Sequence, residues 1–98
     1  MAVAEISIIP LGTKSSSVGK YVAQAIKILQ SERNIKYELS SMGTTIEGDL
    51  DDILRIARAM HEEIFAMGVT RVVTTVKIDD RRDKEISIKS KLAAITDE

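Results

Sequence analysis

The sequence predicts an α+β protein of the ferredoxin-like class: a βαββαβ sandwich whose four-stranded antiparallel sheet carries two helices on one face, followed by a short C-terminal helix. Two observations predict it. Four short segments read as strands by β-branched content or period-2 alternation, and two stretches of helical period lie between the first and second and between the third and fourth of them. Two short crossovers joining strands that can pair antiparallel give the split βαβ arrangement.

Residues 2–9 are the first predicted strand, closed by Pro10 and Gly12, with Ala4, Ile6 and Ile8 on one face and Glu5, Ser7 and Ile9 on the other. The run Ser15-Ser16-Ser17 offers N-caps for a helix carrying Val18, Tyr21, Val22, Ala25, Ile26 and Leu29, which fades near Ser31–Asn34. Ile35, Tyr37 and Leu39 alternate with polar residues in a second strand. Met42-Gly43-Thr44 offers a turn or bulge before a third strand over 44–47.

Gly48 ends that strand and Asp49 is positioned as an N-cap. Leu50, Ile53, Leu54, Ala57, Met60, Ile64 and Met67 form one helical stripe, with Gly68 suited to the position after the helix. Residues 71–79 make the fourth strand, and the wholly charged stretch 79–85 is a solvated connector. Ile88, Leu92 and Ile95 give a weak stripe in the helical extension 86–95, which is too short to stand without a partner surface. The 98 residues fit one small domain, 1–98.

Composition narrows function. With 14 basic and 15 acidic residues in mixed order and only Tyr21, Tyr37 and Phe65 as aromatics, the chain lacks the basic, stacking surface of a nucleic-acid binder. Zero cysteines exclude disulfides, thiolate metal sites and a Cys nucleophile. A metal chaperone of this fold would need those cysteines. The single histidine, His61, sits in His-Glu-Glu without a second imidazole one turn away, so no metal ligand set is read, and charge on a helix flank accounts for it. Gly12-Thr13-Lys14-Ser15 precedes a helix but lacks the spacing of a phosphate-binding loop. No signal peptide or membrane span is read, and the expectation is a cytoplasmic protein. One histidine and no cysteine leave few candidate parts for a nucleophilic triad or zinc hydrolysis, and no cofactor is expected.

Helices on one face leave the other free for ligand or subunit contacts. Residues expected there include Glu5, Ser7, Ile9, Glu38, Ser40, Met42, Thr45, Glu47, Arg71, Val73, Thr75 and Lys77, with Ser7, Thr45 and Glu47 brought close by pairing of the first and third strands. Two readings of Glu47 stand side by side. In one it belongs to a solvated face or a charged dimer seam with Arg71 and Lys77; in the other it accepts hydrogen bonds from a ligand's N–H groups.

The chain resembles the small thiamine-binding-protein family over nearly its whole length. The resemblance rests on Ile9-Pro10-Leu11-Gly12 with the serine run and Tyr21-Val22, on Met42-Gly43-Thr44-Thr45-Ile46-Glu47-Gly48, and on Gly68-Val69-Thr70-Arg71-Val72 leading to Lys77-Ile78-Asp79-Asp80-Arg81-Arg82-Asp83. It implies ferredoxin-like subunits without catalytic activity. It further implies homodimers paired through their sheets, often assembled as a dimer of dimers, and a ligand such as thiamine or its hydroxymethylpyrimidine precursor. On that reading Glu47 is the hydrogen-bonding carboxylate, and Ile9, Met42 or Tyr21 supplies a flat wall. Ser7, Ser16, Ser17, Thr44, Thr45 and Thr75 are then the hydroxyl partners. Two other classes keep the same fold: an ACT-like regulatory module binding another metabolite, and a purely structural oligomeric scaffold. Acylphosphatase shares the fold as an enzyme, but its Gly-rich phosphate loop with a leading Arg is not visible in this chain.

Overall fold

A computed structural model of the chain describes residues 1–13 and 19–96. In order along the chain lie strand β1 (Ala2–Leu11), helix α1 (Gly19–Gln30), strands β2 (Lys36–Ser40) and β3 (Gly43–Gly48), helix α2 (Leu50–Ala66), strand β4 (Arg71–Asp80) and helix α3 (Ile88–Thr96). The four strands form one antiparallel sheet in the order β2-β3-β1-β4. This is the predicted arrangement, with β1 at the centre.

The period-2 pattern explains the layering. Ala2, Ala4 and Ile6 from β1 and Ile46 from β3 face the helices and are buried against Ala25 and Leu29 of α1 and Ile53, Ile56, Ala57, Met60 and Ile64 of α2. The buried stripe of α2 differs from the expected one. Ile56 is fully buried, while Leu54 is 47% exposed and Met67 also lies outside the core. For Leu54 the reason is angular: Ile53, Ile56, Ala57, Met60 and Ile64 follow i, i+3, i+4 spacing, and Leu54 stands one residue round from that row. Met67 is the C-cap, beyond the last helical residue.

The ends of α2 follow their capping chemistry in part. Asp49 occupies the N-cap with extended backbone, and its carbonyl accepts the Ile53 N–H at 3.0 Å, but its side chain makes no cap hydrogen bond. Asp51 and Asp52 sit in the first turn, where the helix dipole favours negative charge. Gly68, at φ +92°, takes the left-handed conformation after the helix, and its N–H bonds to the Phe65 carbonyl at 3.0 Å.

Two polar links join the helical layer. Gln24 donates to Glu63 across α1 and α2 at 3.1 Å. Arg55 of α2 forks onto both carboxylate oxygens of Glu32, just past α1, at 2.7 and 3.0 Å, and also reaches Asp52 at 3.2 Å. That charge partner holds the Glu32 carboxyl below its ordinary value, chiefly through the hydrogen bonds from Arg55.

Strand β1 runs through Pro10 to Leu11, two residues past the expected end. Strands β2 and β3 are joined by Ser41 and Met42, so the turn lies just before Gly43, which pairs with Ser40 in the ladder. The expected N-caps Ser15–Ser17 lie outside the described residues.

Candidate functional site

Strand register decides which of the expected site residues meet. Val3 is opposite Glu47 and Glu5 is opposite Thr45, whereas Ser7 lies past the last β1–β3 pair, Ile6 with Thr44. Ser7 instead faces Thr75 of β4. The expected cluster of Ser7, Thr45 and Glu47 is therefore spread along the sheet: Ser7 is four residues from the Glu47 partner, about 13 Å at the rise of an extended strand.

Glu47 is buried, only 7% exposed. Its Oε1 accepts the backbone N–H of Ile88 at 2.7 Å. A carboxylate taken out of water needs such a partner, and the first turn of a helix has N–H groups with no intrahelical acceptor. Ile86 and Ile88 close over Val3 in a small apolar cluster on the same face. Glu47 is thus the strut that fixes α3 across one end of the face that the other helices leave free.

At the opposite end of β1 lies a cavity of about 260 Å³. Ser7 and Ile9 of β1, Val22 and Ile26 of α1, and Met42 and Thr44 around the β2–β3 turn contribute to its wall. No charged side chain of the described residues borders it. The cavity exists because β3 begins at Gly43, leaving β1 to continue beyond the turn beside α1 with no strand between them. Apolar walls with a few hydroxyls suit a flat, neutral molecule.

Four of the expected residues, Ser7, Ile9, Met42 and Thr44, line this cavity. Thr45, Glu47 and Thr75 do not. Tyr21 lines a separate depression with Gly12, Lys20 and Gly68, its ring 5.1 Å from the Lys20 ammonium. Ser16 and Ser17 lie outside the described residues. Val22, Ile26 and Ser41 also line the cavity; the helical stripe turns Val22 and Ile26 toward the core, but nothing local separates a core residue from a cavity-lining one or singles out the turn serine. Pro10 was the available signal: a proline inside a strand marks an edge, and the cavity lies at that edge.

His61 differs from its expected place as a charged helix flank. It is partly buried between α2 and β4, with Nδ1 2.6 Å from the Thr74 hydroxyl and its ring edge-on to Phe65 at 5.1 Å. Among the described residues no group of His, Asp and Glu side chains is arranged to hold a metal ion. None of the described helices is long and apolar enough to cross a membrane.

The sequence profile of the thiamine-binding protein family matches residues 4–96. The chain belongs to the thiamine-binding protein family. It is 47% identical to the UPF0045 protein of Bacillus subtilis, covering 97% of this chain and 94% of that protein. A crystal structure from Methanocaldococcus jannaschii is 49% identical and superposes with a TM-score of 0.88, covering 96% of this chain and 94% of that one. A Bacillus cereus structure at 28% identity gives a TM-score of 0.85. The fold of this member of the thiamine-binding protein family is thus shared with solved relatives along nearly its full length.

Proposed function

We propose that this protein binds thiamine or its hydroxymethylpyrimidine precursor without catalysing a reaction, and that the aminopyrimidine ring occupies the cavity between β1, α1 and the β2–β3 turn. The observation that carries the reading is the pairing of family membership with an apolar, uncharged cavity lined by Ser7, Ile9, Met42 and Thr44. At about 260 Å³ it lies just below the roughly 300–1,000 Å³ of pockets for larger ligands, which suits one ring better than two. Met42, Ile8 and Ile26 offer wall, and the Thr44 hydroxyl offers a polar contact. Glu47 is not part of this reading, because its carboxylate is engaged by α3.

The protein acts as a cytoplasmic homo-oligomer in this proposal. Ile9 and Val73 are register partners on the face opposite α1 and α2, both substantially exposed, and a second sheet would cover them. Light scattering tests it: an oligomer that Val73→Asp turns into a monomer supports the seam, and a monomeric unaltered protein removes it.

Isothermal titration calorimetry with thiamine and with hydroxymethylpyrimidine tests the ligand. Saturable binding at micromolar affinity, about −8 kcal/mol, is expected. Val22→Phe places a ring in the cavity and should weaken binding about tenfold or more while circular dichroism stays unchanged. Heat unaffected by Val22→Phe would move the ligand elsewhere; no heat with either compound would leave the ACT-like or scaffold reading.

A further inference from the structure

We infer that the main chain of Ile8, rather than a side chain, reads the pyrimidine: among the described residues its N–H and C=O form the donor–acceptor pair on the stretch of sheet edge that opens into the cavity. The inference rests on the ligand reading above and adds the recognition chemistry to it.

The edge arises from unequal strand lengths. The β1–β3 pairing ends at Ile6 with Thr44, while the β1–β4 pairing continues to Leu11 with Arg71. From Ser7 onward the central strand therefore has a neighbour on one side only, among the described residues. In an antiparallel ladder each residue turns its N–H and C=O to the same side, and successive residues alternate.

The phase of that alternation is fixed by Ile6. A Cβ built on Gly43 would lie 3.1 Å from the Ile6 carbonyl oxygen and 3.7 Å from its carbonyl carbon, so this carbonyl points toward β3. Two residues on, Ile8 turns its polar groups the same way, toward the cavity, whereas Ser7 and Ile9 turn theirs to β4. Pro10 shares the phase of Ile8. Its missing N–H thus falls on the side without a strand and costs the β1–β4 ladder nothing, which explains how a proline sits within a paired strand. Pro10 has no donor, so Ile8 alone presents both groups.

Backbone polar groups at the margin of an apolar cavity need a partner, either water or a ligand. A donor beside an acceptor matches a heterocycle carrying a ring nitrogen next to an exocyclic amine: the ring nitrogen accepts the Ile8 N–H, and the amine donates to the Ile8 carbonyl. The absence of charged side chains among the described lining residues favours a neutral ring. Because the reading group is main chain, substitutions of the lining hydroxyls should change affinity less than changes to the ligand's own edge.

Amide hydrogen exchange by NMR on the whole protein, with and without hydroxymethylpyrimidine, tests this together with calorimetry. In the free protein the Ile8 amide should exchange about tenfold or more faster than those of Ser7 and Ile9, and ligand should slow it. The oxo counterpart, which replaces the amine donor by an acceptor, should bind about tenfold or more weakly than the amine. An Ile8 amide already protected in the free protein overturns the inference, and protection that grows with protein concentration would assign the edge to a second copy of the chain. Binding heat with no change at the Ile8 amide overturns main-chain reading while the ligand function stands. Absence of binding heat takes down both.

Discussion

The Glu47 carboxylate holds the Ile88 N–H at 2.7 Å, joining residues 41 positions apart in the chain. Helix α3 has nine residues, of which Leu92 and Ile95 remain exposed, so it lacks the length to be stable alone and depends on this end. Ile86 and Ile88 supply the apolar part of the attachment and Glu47 the polar part.

Replacement of that carboxylate should release α3 without harming the sheet. Glu47→Ala leaves the Ile88 N–H without its acceptor, and the loss should be about 1.5–3 kcal/mol, the range for a hydrogen bond to a charged group. Urea unfolding gives the energy, and amide exchange at Ile88 should accelerate more than exchange in β1. Pyrimidine binding should be retained, since Glu47 lies outside the cavity wall. Abolished binding in a folded Glu47→Ala variant would return Glu47 to the site.

The residue after Glu47 is constrained by a neighbour. A Cβ at Gly48 would sit 2.7 Å from the Ile35 Cγ2, so Gly48→Ala must displace that methyl. The cost should be about 1–3 kcal/mol, as for other overpacked sites. Combining it with Ile35→Ala should give less destabilisation than the sum of the single changes; simple additivity in chemical denaturation would remove the proposed clash.

Acid stability should depend on Arg55. Its hydrogen bonds hold the Glu32 carboxyl below the ordinary value of 4.5, so the folded state binds that proton less readily than the unfolded chain. The resulting stabilisation is present above pH 4.5 and is lost as pH falls through the lower, folded value. Arg55→Gln should therefore flatten the fall in stability below pH 4.5 and lower stability at neutral pH. Arg55 is half-exposed while the Glu32 side chain is 17% exposed, so the pair is partly screened, and both effects should be modest and shrink in high salt. Denaturation midpoints across pH, at two salt concentrations, check the sign; an unchanged slope below pH 4.5 would refute the assignment.

The contact between His61 and Thr74 should contribute to docking α2 on the β4 side of the sheet. Thr74→Val keeps the shape and removes the hydroxyl, leaving a partly buried imidazole nitrogen without it. A loss of about 0.5–1.5 kcal/mol is expected from thermal or urea unfolding. No loss would mean that water satisfies the ring equally well.

Much of the architecture could be read from spacing. The period-2 runs of β1 and β4 and the i, i+3, i+4 row of α2 are local patterns that specify which face turns inward, and the positions of Asp49 and Gly68 bracket α2. Leu54 is apolar yet exposed because two overlapping rows on α2 are both apolar, and only the packed sheet selects between them. The candidate site was less legible. Ser7, Ile9, Met42 and Thr44 converge, but Glu47, Thr45 and Thr75 lie elsewhere, since strand order alone does not give register.

The sequence by itself determined the fold class, the order of elements, the faces of each strand and the family, because each is written in local periodicity or contiguous motifs. Only the tertiary structure decided that β3 stops short of the end of β1, that α1 lies beside the notch this leaves, and that Glu47 serves α3. These facts depend on pairing between residues distant in the chain. A shift of one or two positions in that pairing would leave every local pattern nearly as good while moving the cavity, the free edge and the buried carboxylate to different places.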